Sequence, residues 1–316
     1  MNGRPFPRLL AALALGLALG LAASAASAQQ LILKGEFGMM AGTMAPPGLY
    51  AGAIGAINWS DTLKGPDGNS VPSEGGSFNQ YIPAAMVMYV SKLKILGADY
   101  GAIVAVPFSN ATIDFPRLNA SGSTGMALSQ LWVVPLSLGW HIKDPLPLAP
   151  GGMDVTFHYA FYPPTGRYTP GATNNTGLGM WANEFSLRAT AFFDKDKAWH
   201  GSASLFYDIN SKKEGTDFKY GNPFTYMWGL GRNYGEGKSL FKGWAGLAGY
   251  AQWQVTSTTG APLPIIDNNK TRIYGVGPEL TTLQGALTIR YFWQFGGKFS
   301  TQGQGLYVQF MMPLPF

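Results

Sequence analysis

The stretch Met180–Phe193, MWANEFSLRATAFF, decides how the rest of the chain is read. At period two, one face carries Trp181, Asn183, Phe185, Leu187, Ala189, Ala191 and Phe193. The other carries Ala182, Glu184, Ser186, Arg188 and Thr190. Successive side chains leave a strand on opposite sides, so alternation over this length marks a strand with one apolar and one polar face. The next run, Trp199–Asn210, repeats the pattern, with Trp199, Gly201, Ala203, Leu205 and Tyr207 against His200, Ser202, Ser204, Phe206, Asp208 and Asn210. Met153–Tyr162 sets Val155, Phe157, Tyr159 and Phe161 against Asp154, Thr156 and His158. Gly285–Phe295 sets Leu287, Ile289, Tyr291, Trp293 and Phe295 against Thr288, Arg290, Phe292 and Gln294. Aromatics tend to close the ends of the apolar faces: Trp181 and Phe193, Trp199 and Tyr207, Trp132 and Trp140. That is the girdle arrangement of a barrel crossing a bilayer.

Working outward, the same pattern predicts twelve strands: Leu49–Trp59, Phe78–Val90, Ile95–Phe108, Gly125–His141, Met153–Tyr162, Met180–Phe193, Trp199–Asn210, Asp217–Leu230, Gly243–Val255, Arg272–Thr281, Gly285–Phe295 and Gly305–Phe316. The links Ser60–Ser77, Ser109–Thr124, Pro163–Gly179 and Thr256–Thr271 are long, whereas Ser91–Lys94, Asp194–Ala198 and Thr282–Gln284 are short. Long loops at one end and short turns at the other are the habit of outer-membrane barrels. His141–Gly152 and Gly231–Lys242 are longer than that habit prefers. The rival fold, a soluble periplasmic sandwich, needs turns every 8–12 residues and no aromatic ends.

Composition agrees. The 316 residues are 12% charged and 14% aromatic, with 42 glycines and no cysteine. Low charge and many aromatics exclude a disordered chain. The missing cysteine removes disulfides, thiolate metal sites and cysteine nucleophiles. Arg4 and Arg8, the apolar run Leu9–Ala23 and Ala26-Ser27-Ala28 together read as a secretory signal over residues 1–28. Its removal takes the formal charge from +5 to +3, too weak and dispersed to imply nucleic acid. Beyond it no apolar run is long enough for a membrane helix. The last strand ends on Phe316, like the terminal signal read by the barrel assembly machinery, with Pro313 and Pro315 tolerable at a strand end.

The expectation is therefore an all-β, antiparallel transmembrane barrel of the bacterial outer membrane, about twelve strands over residues 48–316, in contact with outer-membrane lipid. Residues 29–47 stand apart. Leu31, Ile32, Leu33, Phe37, Met39, Met40 and Met44 make them too apolar for free solution, while Gly35, Gly38 and Gly42 break any regular element. The segment either tucks into the lumen as a plug, adds a strand, or packs at the periplasmic rim.

Chemistry is sparse. His141, His158 and His200 share no metal-ligand spacing, and no catalytic motif is present, so neither a cofactor nor a metal is expected. The candidate lumen-lining residues are Asp154, His158, Glu184, Arg188, Ser204, Asp208, Arg290 and Gln294. They either form a network that holds the barrel or a constriction that contacts a passing molecule. In Pro164-Thr165-Gly166-Arg167-Tyr168, proline ends a ladder, glycine permits a turn, and Tyr168 can lie back over the mouth, as a loop latch or in ligand capture.

Several segments together resemble the family of meta-pathway phenol-degradation proteins. They are Ala45-Pro46-Pro47-Gly48-Leu49-Tyr50, Pro164–Tyr168 followed by Asn174, Asp208-Ile209-Asn210, Tyr220-Gly221, Gly246 with Gly249-Tyr250 and Gln252, and Gly275-Val276-Gly277-Pro278. The resemblance implies an exported channel for small hydrophobic or aromatic compounds, with no catalytic residues to carry over. Where the family has an acidic residue and an Asn-Arg-Pro run, this chain has Gln294 and Lys298–Gln304. The competing functions are a structural outer-membrane barrel without transport and a barrel-embedded hydrolase.

Overall fold

The computed structural model describes residues 33–71, 75–143, 147–236, 239–260 and 269–315. The signal assigned to residues 1–28, Leu31, Ile32 and the terminal Phe316 lie outside them. The strands are β1 Gly48–Lys64, β2 Ser77–Ile95, β3 Ala98–Phe115, β4 Ala120–Ser123, β5 Ala127–Leu128, β6 Trp132–Ile142 and β7 Met153–Tyr162. They continue with β8 Ala182–Phe192, β9 Trp199–Asn210, β10 Pro223–Tyr234, β11 Gly243–Gln254, β12 Arg272–Thr282, β13 Leu287–Lys298 and β14 Ser300–Pro313.

Twelve of these form the wall, and β4 and β5 are short additions paired to β3. Each wall strand pairs antiparallel with its neighbours in the chain, β3 joining β6 directly. The circle closes where β14 lies against β1, from Tyr50 opposite Pro313 to Lys64 opposite Ser300. The molecule is a closed twelve-stranded antiparallel barrel of the outer-membrane type. Closure removes free strand edges, which is what a bilayer demands of a sheet.

The alternation sets the facing. In β8, Leu187 is 48% exposed on the outside, while Ser186 and Arg188 are 2% and 4% exposed and face inward. Leu205 points out and Ser204 in; Arg290 is buried inward and its neighbour Ile289 faces out. Short connections (96–97, 193–198, 283–286) gather at the end where the chain enters β1 and leaves β14, together with the longer links after β6 and β10. Long loops lie at the other end except at Phe299, which alone joins β13 to β14. Leu96 and Gly97 both take positive φ, +51° and +78°, as a two-residue hairpin turn requires.

Six strands start or stop more than three residues from where the alternation predicts; β1, β2 and β3 run on to Lys64, Ile95 and Phe115 rather than ending at Trp59, Val90 and Phe108. β6 begins at Trp132 rather than Gly125, because Gln130 turns aside to bond the Tyr162 carbonyl and the Leu178 amide. β10 spans Pro223–Tyr234 rather than starting at Asp217. Residues 217–222 fold over the mouth, with Tyr220 buried and the Lys219 and Thr259 backbones paired. β14 starts at Ser300, where Gly303 lies so close to β1 that a Cβ would sit 2.1 Å from the Trp59 carbonyl oxygen. The girdle is also corrected at one residue. A bulge between Val133 and Leu136 reverses the facing of β6, so Trp132 turns inward while Trp140 stays outside, its indole donating to the Leu96 carbonyl.

The interior has two unlike walls. Ile54, Met86, Met88, Ile103, Ala105, Trp132 and Val134, from β1–β3 and β6, make an apolar side. Asp154, Thr156, His158, Glu184, Arg188, Thr190, Ser202, Ser204, Asp208, Glu279 and Arg290, from β7–β9, β12 and β13, make a polar side and are all buried.

Candidate functional site

Residues 33–47 run between these walls. On the polar side their backbone is matched group by group. The Met39 amide donates to Glu279 Oε2 at 2.9 Å, and Arg290 both pairs with that carboxylate at 3.1 Å and donates to the Glu36 carbonyl at 2.7 Å. The Ser202 hydroxyl donates to the Gly38 carbonyl. The Gly42 amide donates to Thr190 Oγ1 at 2.9 Å, and the Gly42 carbonyl accepts from Thr156 Oγ1 at 2.7 Å. The Thr43 hydroxyl donates to Asp154 Oδ2 at 2.8 Å, and the other oxygen of Asp154 lies 2.8 Å from His141 Nδ1.

A segment with no secondary structure of its own must satisfy its buried backbone groups from elsewhere, and hydroxyls and carboxylates on a wall do this. Glycine makes the approach possible. A Cβ on Gly38 would fall 1.7 Å from Glu279 Oε2, and one on Gly42 would fall 2.6 Å from the Ala189–Thr190 backbone. Phe37 stacks on Phe206 with ring centroids 5.5 Å apart and lies 4.4 Å from the Arg188 guanidinium carbon. Burial pushes the Glu36 carboxyl up to about 8, and the charge of Glu184 adds to the rise.

On the apolar side the space stays open. A cavity of about 760 Å³ lies between residues 36–46 and that wall, reaching the turn end at Leu283–Ala286 and Pro313. Met39, Met40, Met44, Met86, Met88 and Met311 line it, half of the twelve methionines in the chain. Methionine is flexible and polarisable, so such a lining adapts to differently shaped apolar molecules. Nearer the loops lies a smaller apolar cavity of about 70 Å³, lined by Leu33, Ile54, Ile82 and Leu178 among others. Glu36 and Trp132 border both cavities.

The predicted site residues divide accordingly. His158, Arg188 and Arg290 line the large cavity, and Asp154 bonds the segment beside it. Arg188 Nη2 lies 2.7 Å from His158 Nδ1. Glu184, Ser204 and Asp208 are buried away from the cavity. Glu184 accepts the Tyr162 hydroxyl at 2.6 Å, and Asp208 is its cross-strand partner. Gln294 is bonded to the Tyr250 hydroxyl and the Gly303 amide near the loop end.

The Pro164–Tyr168 motif ties loops together. Leu131 N donates to Thr165 Oγ1, and Gly166 packs on Gly177. Arg167 bonds the Asn174 and Thr124 carbonyls, and the Tyr168 ring covers Gly179. The Lys213 ammonium sits 5.3 Å over the Tyr168 ring and 4.8 Å over Tyr220, and burial pushes its pKa down to about 8. Among the described residues no cluster of three or more histidine and carboxylate side chains has the geometry of a metal site.

Sequence reasoning put Thr190 and Ser202 on the polar faces without naming them as site residues, and it missed Glu279 and the whole apolar wall. Glu279 shares its inward face with Ile273, Gly275 and Gly277, so one charge among small and apolar residues left little polar signal. In β2 the run IPAAMVMYV is apolar on both faces, which hides which methionines turn inward.

A closed twelve-stranded antiparallel barrel is the architecture of an outer-membrane β-barrel protein. The chain belongs to the family described as "Putative MetA-pathway of phenol degradation", whose model matches residues 60–310. Among solved structures it is similar to an outer membrane channel from Pseudomonas putida F1, with a TM-score of 0.68 and 11% identity over 86% of this chain and 97% of that one. The β domain of the Bordetella autotransporter BrkA matches at a TM-score of 0.46 and 10% identity, over 85% and 100% of the two chains. The CymD monoaromatic hydrocarbon channel matches at a TM-score of 0.37 and 9% identity, over 87% and 91%. No curated protein sequence matches.

Proposed function

We propose that this chain is an outer-membrane channel for small hydrophobic or aromatic molecules, with residues 33–47 serving as an internal plug that narrows the route. The observation that carries the reading is the methionine-lined cavity of about 760 Å³, which reaches the turn end of the lumen. Two features at the other end support it. The smaller apolar cavity lies on the loop side, and among the described residues only Glu36 and Trp132 border both spaces. A molecule moving inward would meet apolar surface on one side throughout and the plug on the other. Membership of a phenol-degradation family is consistent with an aromatic cargo.

In this account Arg290 and Asp154 hold the plug, Glu184, Ser204 and Asp208 fix the polar wall, and Pro164–Tyr168 latches the loops. The segment 1–28 directs export and is removed, and the assembly machinery reads the last strand. The test is uptake of labelled toluene and phenol by cells lacking the gene and by the same cells complemented. A channel restores uptake on complementation. Equal uptake in both, with the barrel present in the outer membrane, identifies a structural barrel and rejects the reading.

A further inference from the structure

Arg188 differs from the other inward arginine of the polar wall. Arg290 has a carboxylate partner at 3.1 Å and a carbonyl at 2.7 Å. Arg188 is 4% exposed and makes no ion pair among the described residues, the nearest charges on it being those of Glu184 and Glu36. Its Nη2 meets His158 Nδ1 at 2.7 Å, and its Nε, like that of Arg290, makes no well-formed hydrogen bond. Two hydroxyls nearby in the sheet are in the same condition. Ser204, directly across from Arg188, and Ser186, directly across from Phe206, are buried and unpartnered. A guanidinium N–H and two hydroxyls without acceptors are costly to bury, and the arrangement is set to receive an anionic oxygen. A ring place adjoins these donors. It lies on Phe206 and under the Arg188 guanidinium, and Phe37 of the plug fills it, 5.5 Å from one and 4.4 Å from the other. Phe37, Arg188 and His158 all line the large cavity, so the place is reached from it.

We propose that Arg188 and Phe206 form a subsite for an aromatic acid, a single ring carrying a carboxylate, and that Phe37 is the internal occupant such a ligand displaces. The ligand ring takes over the stacking on Phe206 and the cation–π contact with Arg188, which are the interactions Phe37 makes. Its carboxylate then gives Arg188 Nε the acceptor that a phenylalanine side chain lacks. A neutral hydrocarbon ring replaces Phe37 without that gain. The space suffices, since a cavity of about 150 Å³ already holds benzene and the cavity beside Arg188 is about 760 Å³. Because Phe37 competes for the place, its docked state lowers the apparent affinity of any ligand. The proposal rests on the reading of the lumen as a passage for aromatic molecules.

The experiment is equilibrium dialysis of labelled benzoate and toluene against the full-length mature protein in detergent, each variant first shown to be heat-modifiable on a gel. Wild type binds benzoate at least about tenfold more tightly than toluene, the effect of one charge-assisted hydrogen bond. Arg188→Gln loses about ten- to hundredfold for benzoate and only a few-fold for toluene, which gives up the cation–π contact alone. Phe37→Ala moves the other way and tightens benzoate, a direction that general damage to the lumen does not produce. If Arg188→Gln does not assemble, the wild-type ratio and Phe37→Ala decide the matter. Toluene bound as tightly as benzoate, or benzoate weakened by Phe37→Ala, overturns the subsite and leaves the channel reading standing. Failure of both ligands to bind overturns the subsite, and it counts against the channel reading only if uptake also fails.

Discussion

The wall formed by β7–β9, β12 and β13 grips the N-terminal segment through directional bonds: Glu279 to the Met39 amide, Ser202 to the Gly38 carbonyl, Thr190 and Thr156 to Gly42. The opposite wall, β1–β3 and β6, presents Met86, Met88, Ile103 and Trp132 across a cavity. Hydrogen bonds fix one geometry and are expensive to leave unmade, whereas apolar contact is non-directional and tolerates sliding. One side of the barrel therefore positions residues 33–47 and the other leaves room beside them. On the proposed reading, this division of labour puts the route along β1–β3 and β6.

Mutations that act on one wall alone can break or sharpen this contrast. The largest effect is expected at Glu279→Ala, which strands Arg290 as a buried charge. Breaking such a pair costs about 3–5 kcal/mol, and the Met39 amide loses its acceptor as well. Denaturant midpoints of the heat-modifiable form should fall sharply, with Glu279→Gln falling less. Leu187→Arg, on the lipid side of the same wall, should cost about 2–4 kcal/mol and reduce the assembled fraction; normal assembly would mean that the facing of β8 is wrong.

Next comes the grip itself. Thr156→Ala with Thr190→Ala removes two hydrogen bonds worth about 1 kcal/mol each. The barrel should still assemble, but hydrogen exchange at the Gly42 amide should quicken. Unchanged exchange would show that these hydroxyls do not hold the segment. The smallest effect belongs to the apolar wall. Met86→Leu keeps volume and should shift stability by less than about 1.5 kcal/mol, leave Gly42 exchange unchanged, and alter only the relative uptake of differently shaped aromatics.

The same contrast explains what could be read from the sequence. β7 and β9 match their predicted bounds, Met153–Tyr162 and Trp199–Asn210, because polar and apolar residues alternate there without a break. The faces of β8 and β13 follow for the same reason. Along β2, β3 and β6 both faces are apolar, and the bulge at Val133–Leu136 reverses the parity, so Trp132 was assigned to the girdle and not to the lumen. That residues 29–47 stand apart from the wall strands could be suspected from their methionines and glycines. Their partners could not, because Glu279 and Met39 are 240 residues apart and meet only through barrel closure. Arg188 was legible as inward-facing; that no carboxylate among the described residues comes within ion-pair distance of it was not, since register alone places Ser204 opposite it and says nothing of distance.

The central claim is that residues 33–47 occupy the route without being part of the wall. Single-channel conductance in planar bilayers, comparing the mature chain with one lacking Gln29–Thr43 but exported with the same signal, tests it most directly. The account predicts that the shortened chain still assembles as a heat-modifiable barrel and conducts ions at a clearly higher level. An assembled barrel with unchanged conductance, or a chain that no longer assembles, would contradict it.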